Sequence, residues 1–306
     1  MLERNLEALA RRDPELAQRL CLPVATHHVA RQPGGEVHYT YRHAARRLDL
    51  TGDQVEQLVG QAEQGDTALV VGVGLGELVA PLLARGARVV AWERDPCLLR
   101  LALSAHDWSA AIADGALRPA LVGGLLGLPR EEALGSWTIV RHPLLGGIYA
   151  GELELLERGL GERRALLCEG ALFVDDVREA LAALGHSVFC LDVELVAEEE
   201  TEHLVRSLAP QIVVTVNYRT GLAELCERLG VALVSWEIDP TVDCIEPCRV
   251  RPCRAHVFTY RRAQQQAFRE AGFEHVAHLP LATNPGRRHP VQLSEDEARR
   301  YGADVA

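Results

Sequence analysis

QIVVTVNYRTGLAELCERLGVALVSWEIDPTVD (residues 211–243) and AHVFTYRRAQQQAFREAGFEHVAHLPLATNP (residues 255–285) decide the fold. Ile212 to Val216 is a short, β-branched apolar run of the kind that fills a buried strand, and Asn217, Tyr218 and Arg219 follow at its C-terminal end. A helical pattern comes next, with Leu222, Leu225, Cys226 and Leu229 on one face and Gly230 as its stop. Val231 to Trp236 is a second buried run that delivers Glu237 and Asp239 to a strand end, and Pro240 closes it because proline cannot donate to a ladder. His256 to Tyr260 and His275 to Leu279 repeat the theme, with a helix ending near Gly272 between them. Strands alternating with helices predict parallel pairing through right-handed crossovers. Ligands of open parallel sheets sit outside the carboxyl ends of the strands. Asn217, Arg219, Glu237, Asp239 and Tyr260 are therefore expected to line a polar cleft.

The order strand–Asn, helix, Leu-Gly-Val, strand–Trp-x-x-Asp-Pro, strand–Tyr-Arg, helix, Ala-Gly-Phe, strand–Leu-Pro-Leu-Ala-Thr-Asn-Pro resembles the CgeB-type, spore-maturation glycosyltransferases. The positions that carry the resemblance are Asn217, Trp236, Asp239, Pro240, Tyr260, Gly272, Leu279, Pro280, Ala282 and Pro285. They span roughly a quarter of the chain, by motif order and not by one signature. The resemblance implies a GT-B-like architecture, in which two Rossmann-like domains face each other across a cleft, one for the acceptor and one for a nucleotide-sugar donor. Glycosyl transfer needs a base for the acceptor hydroxyl and groups that steady the departing diphosphate. Asp239 is the expected base with Glu237 second, Arg219 the expected holder of diphosphate, and Asn217 and Tyr260 the further substrate-binding candidates. The plainer reading of Asp239 is a turn residue before Pro240.

Composition narrows the rest. A chain of 306 residues, 48% hydrophobic and 25% charged, has room for two α/β domains. No apolar run approaches the ~20 residues that cross a bilayer, and the charged amphipathic N-terminus has no signal-peptide core, so a cytoplasmic protein is expected. With 32 basic against 43 acidic residues the formal charge is −11, which argues against a nucleic-acid groove. Every basic residue other than histidine is arginine, so no lysine base or Schiff base is available. Eight cysteines in such a chain read as free thiols.

DTALVVGVGLGELVAPLLARGARVVAWERDPCLLRLAL (residues 66–103) is the second informative stretch. A buried strand runs into a tight turn with Gly72, Gly74 and Gly76, a helix follows, and a second strand ends at Glu93, where an adenosine ribose would be held. This G-x-G-x-G form resembles class I S-adenosylmethionine-dependent methyltransferases, which makes S-adenosylmethionine the alternative cofactor. Two departures stand against it: Val70 occupies the place of the usual acid before the first glycine, and Arg141-His142-Pro143-Leu144 lacks the Asn or Asp of the family's catalytic motif. A degenerate Rossmann domain whose glycines serve packing is the plainer reading.

The expected fold class is α/β, two Rossmann-like doubly wound parallel-sheet domains in tandem. Residues 1–45 are expected to form one helix and a strand/turn segment with a hairpin at Pro33-Gly34-Gly35. Residues 46–163 form the methyltransferase-like domain and 164–290 the acceptor-side domain. Residues 291–306 are expected to be a linker and the start of a missing C-terminal domain, which would leave the isolated chain with little or no transferase activity. His27, His28, His38 and His43 show no metal-binding spacing and read as surface or half-buried histidines. Cys244, Cys248, Cys253 and His256 offer four soft ligands in a C-x3-C-x4-C-x2-H series, a spacing that matches no zinc pattern, so a cysteine-rich loop is the plainer reading. The expected partner is a sugar acceptor, a protein or a cell-surface glycan, with homo-oligomerisation compatible. A non-catalytic nucleotide-binding or assembly module is the third reading.

Overall fold

The computed structural model describes residues 1–62, 66–122, 124, 137–170, 172–239, 245–288 and 290–301. Three sheets organise the chain. Strands β1 (Val29–Arg31), β2 (Val37–Tyr41) and β3 (Ala44–Arg47) form an antiparallel meander. β4 (Thr67–Val71), β5 (Arg88–Trp92), β6 (Leu117–Ala120) and β7 (Thr138–Arg141) form a parallel sheet of order β6-β5-β4-β7. β8 (Arg164–Cys168), β9 (Ser187–Leu191), β10 (Ile212–Val216), β11 (Ala232–Glu237), β12 (Ala255–Thr259) and β13 (His275–His278) form a second parallel sheet of order β13-β12-β11-β10-β8-β9. Both parallel sheets are doubly wound: the chain steps outward, then returns across the first strand and reverses direction. The reversals lie between β4 and β7 and between β8 and β10, where such sheets bind ligands.

The buried apolar runs become strands because they satisfy both faces at once. Val70 and Val89 point into one cluster with Leu9, Leu20, Leu82 and Leu103, while Leu69, Val71 and Trp92 point into another with Tyr39, Leu98 and Tyr149. The second sheet buries Leu166, Phe189, Val213 and Leu233 against Leu208, Leu225 and Phe268. Each fully buried side chain of this size contributes about 1.5–3 kcal/mol.

Residues 1–20 are two helices, Leu2–Ala10 and Pro14–Arg19, and not one. The break has a local cause: Pro14 cannot sit inside a helix, and Asp13 accepts from Leu16 N at 2.9 Å to cap the second one. The hairpin forms at Pro33-Gly34-Gly35, with Gly35 at φ 92° and Gln32 N donating to Glu36 O at 2.7 Å. The helix read as Ala171 to Leu184 runs over Val174–Ala183, because Phe173 takes a left-handed φ of 64°; Ala171 lies outside the described residues. Among the described residues no helix is long and apolar enough to cross a membrane.

Candidate functional site

The two parallel sheets meet the meander at a polar cleft. The carboxyl end of β5 supplies Arg94 and Asp95, that of β8 supplies Glu169 and Gly170, and that of β9 supplies Asp192. The β2–β3 hairpin reaches into the same space. Its two-residue turn is Arg42-His43, with φ 49° and 64°. Turns of this kind favour Asn-Gly, and a bulky residue held at positive φ costs of order 1 kcal/mol or more. What holds Arg42 there is its ion pair to Asp175, 2.5 Å, and a longer one to Glu169, 3.4 Å.

Arg94 is the central tie. Its guanidinium is 2.9 Å from Glu169 and 3.3 Å from Glu152, and it lies 4.6 Å from the centre of the Tyr149 ring. All three polar partners are buried. Tyr41 donates its hydroxyl to Glu169 at 2.9 Å. Burial holds Glu152 above the usual carboxylate range, with Arg94 pulling the other way, and burial raises Asp192 as well. Two cavities flank this tie. One of about 270 Å³ is lined by His27, His28, Asp95, Gly170 and Asp192 among others, and one of about 520 Å³ by Arg46, Pro143, Gly151, Asp175 and Arg178 among others; Tyr39, Tyr41, Arg42, Arg94 and Glu169 border both. Five arginines line the larger cavity (Arg42, Arg46, Arg94, Arg178 and Arg287) against three carboxylates, Glu152, Glu169 and Asp175. Arg287 also pairs with Asp176 and Glu179 just outside the lining, so the cavity wall is a dense array of arginines and carboxylates.

The glycine turn after β4 is closed by the chain itself. A Cβ on Gly72 would stand 2.5 Å from Leu145 Cβ, one on Gly74 3.0 Å from His142 Nε2, and one on Gly76 2.6 Å from the Trp108 ring. Glu93 is fully buried and turns back onto this loop. It accepts from Val73 N at 2.8 Å, Gly74 N at 3.2 Å, Arg94 N at 2.8 Å and Asp95 N at 3.1 Å, and from the Tyr149 hydroxyl. Burial lifts its carboxyl to about 7 against those bonds. His142 is likewise buried, its Nε2 3.0 Å from Leu48 O, and burial lowers it to about 4. Side chains of the protein thus fill the space around Gly72, Gly74 and Gly76, and Glu93 faces backbone amides.

The strand-end residues of the second sheet take up a bracket beside the cleft. Asn217, at φ 63°, accepts through Oδ1 from Ile238 N at 3.0 Å and Asp239 N at 3.1 Å, which fixes the end of β11 to that of β10. Glu237 is fully buried and accepts from the Ser235 hydroxyl and, at 3.2 Å, from Tyr218 N. Asp239 is half-buried, and its carbonyl accepts from Gln264 Nε2 at 3.5 Å. Arg219 pairs with Glu194 and crosses Gly170, where a Cβ would meet its guanidinium at 2.9 Å. Tyr260 accepts from Arg261 Nε at 2.7 Å. Neither Glu237, Asp239 nor Tyr260 borders the two cavities.

Of the cysteine series, Cys244 lies outside the described residues. Cys248 is half-buried, Cys253 is exposed, and His256 stacks on His275 of the neighbouring strand with ring centres 4.7 Å apart. The three do not converge on a shared point. Among the described residues, the group that does is His28, Asp95 and Cys97. Arg94 and Asp95 directly follow Glu93 at the end of β5, and Glu169 ends β8, so the strand-end rule reaches all three. His28 was visible only as one histidine of four.

No protein-family model and no curated protein matches the chain. A solved structure, "Structure of MAf glycosyltransferase from Magnetospirillum magneticum AMB-1", aligns with 92% of this chain and 56% of its own length, at 14% identity and a TM-score of 0.34. The chain therefore spans little more than half of that protein.

Proposed function

We propose that the chain is part of a nucleotide-sugar-dependent glycosyltransferase of GT-B-like, CgeB-type architecture, and that the arginine-lined cavity between its sheets holds the anionic ligand of that reaction. The observation that carries this reading is the convergence of both carboxyl edges on one cleft with five arginines along its larger cavity. Arginine forks match phosphate and carboxylate oxygens and stay charged when partly desolvated. Asp239 is the proposed base, its backbone fixed by Asn217. Glu237, buried under Ser235 and Tyr218, serves to join β10 to β11. Arg219, which crosses Gly170 at the edge of the smaller cavity, extends the substrate-binding rim, and Tyr260 is the outlying substrate-binding candidate. In this reading the glycine turn near Gly74 is a packing device.

Calorimetric titration with a panel of nucleoside diphosphate sugars tests the proposal. Micromolar binding is expected, weakened about tenfold or more by Arg178→Ala, the equivalent of about 1.4 kcal/mol. S-adenosylmethionine should give no binding heat. Binding of S-adenosylmethionine that disappears in Gly74→Val, with no heat from any sugar nucleotide, would move the assignment to a methyltransferase.

A further inference from the structure

The wall of the smaller cavity carries a feature that sugar binding does not use. His28, just before β1, and Asp95, at the end of β5, are both buried, and His28 Nε2 lies 2.6 Å from Asp95 Oδ2. Asp95 Oδ1 accepts from Cys97 N at 2.8 Å, which places the Cys97 side chain in the first turn of the helix Pro96–Ala105. One nitrogen of His28, one carboxylate oxygen of Asp95 and the Cys97 sulfur all lie within 4.8 Å of one another. His28 is 96% buried, since only 4% of it is exposed, and its Nε2 is the ring nitrogen that faces Asp95.

We propose that His28, Asp95 and Cys97 form a binding site for a zinc-class divalent cation, with the remaining coordination position turned to the cavity that His28 and Asp95 border. One imidazole nitrogen, one carboxylate oxygen and one sulfur is a donor set that suits Zn²⁺ and Co²⁺ and not Mg²⁺ or Ca²⁺. Three protein ligands with a fourth place left over is the pattern of zinc sites that accept an exogenous oxygen. Around a tetrahedral ion the ligand atoms stand roughly 3.5 Å apart, so the His28–Asp95 contact opens by under an ångström while the sulfur closes in. The helix start favours the negative charge of Asp95 and of a Cys97 thiolate. Without a cation, burial and the Asp95 carboxylate push the Cys97 thiol up to about 12. On binding, the metal takes the thiolate and the thiol proton leaves to solvent.

Cobalt(II) titration of the purified, reduced chain reads the site directly. One equivalent should bind with the intense visible bands of a tetrahedral ion and a thiolate-to-cobalt charge-transfer band in the near ultraviolet. That band should vanish in Cys97→Ser and persist when the more exposed Cys21, Cys248 and Cys253 are replaced by serine. His28→Gln should weaken binding at least tenfold. The parent chain decides the matter even if a variant folds poorly. No charge-transfer band in the parent, or one lost with the exposed cysteines and kept in Cys97→Ser, overturns the proposal. Sugar-nucleotide binding is read in a separate titration, so either assignment can fail while the other stands.

Discussion

Arg94→Met should destabilise the protein by about 3–5 kcal/mol, the usual loss when one partner of a buried ion pair is removed. Methionine keeps the length and the apolar contacts of the side chain, so the loss isolates the charge. Glu169 and Glu152, both buried, would be left facing each other without the guanidinium that now lies 2.9 Å and 3.3 Å away. Glu152 keeps its bond from Cys190 N at 3.2 Å but has no other cation among the described residues, while Glu169 keeps its bond from Tyr41 and only the longer pair to Arg42 at 3.4 Å. Urea denaturation of parent and variant measures the difference. The sign of its pH dependence follows from Glu152, which burial already holds above the usual carboxylate range and which loses the opposing pull of Arg94, so it binds its proton more tightly in the folded than in the unfolded variant. Stability of the variant should therefore recover as pH falls and the gap to the parent narrow. Adding Glu169→Gln should restore part of the loss. A change under 1 kcal/mol would mean that the two sheets are not tied through Arg94.

Glu93→Gln should cost about 1–3 kcal/mol, and the cost should itself depend on pH. An amide has one accepting oxygen, whereas Glu93 now receives Val73 N and Gly74 N on one oxygen and Arg94 N, Asp95 N and the Tyr149 hydroxyl on the other. The amide's NH₂ end must face donors, leaving buried N–H groups unpaired. Burial lifts Glu93 from the ordinary 4.5 to about 7 in the folded protein. A raised folded value means that the folded state binds the proton more tightly. The contribution is full below about pH 4.5 and is lost as pH rises through about 7. The parent-minus-variant difference should thus be roughly 2–3 kcal/mol larger at pH 5 than at pH 8. A flat difference profile would show that the amide donors keep Glu93 ionised throughout.

Strands β4, β5, β8 and β9 were legible because each is a largely apolar run closed by Gly72, Glu93, Glu169 or Asp192, and the parallel pairing follows from the helices between them. Helix ends were less legible. Asp13-Pro14 is a cap-and-start signal that a smooth amphipathic pattern hides, and the positive φ of Phe173 has no glycine to announce it. The cleft was legible in principle but not in place. The strand-end rule located polar groups at β10–β12, which the structure uses to lock strand ends together through Asn217 and Glu237. The cavities form instead where β5, β8 and β9 meet the meander. Contacts such as Arg94 to Glu169 and His28 to Asp95 join residues 75 and 67 positions apart, and no local pattern encodes them. β3, with all four residues exposed, lacks the alternation that marks a half-buried strand, so the element that brings Arg42 and Arg46 to the cleft was the least visible in the chain.

The central claim is that an anionic sugar ligand lies between the two parallel sheets, and hydrogen exchange read by mass spectrometry tests it most directly. The chain would be labelled alone and with a saturating concentration of the sugar nucleotide that binds best in calorimetry. The account predicts slower exchange in residues 37–46 and in the β8–helix turn leading into Val174–Ala183, where Arg42, Arg46, Glu169 and Arg178 border the cleft. Slower exchange confined to the glycine turn at residues 72–79, with the hairpin and the β8 turn unchanged, would contradict it.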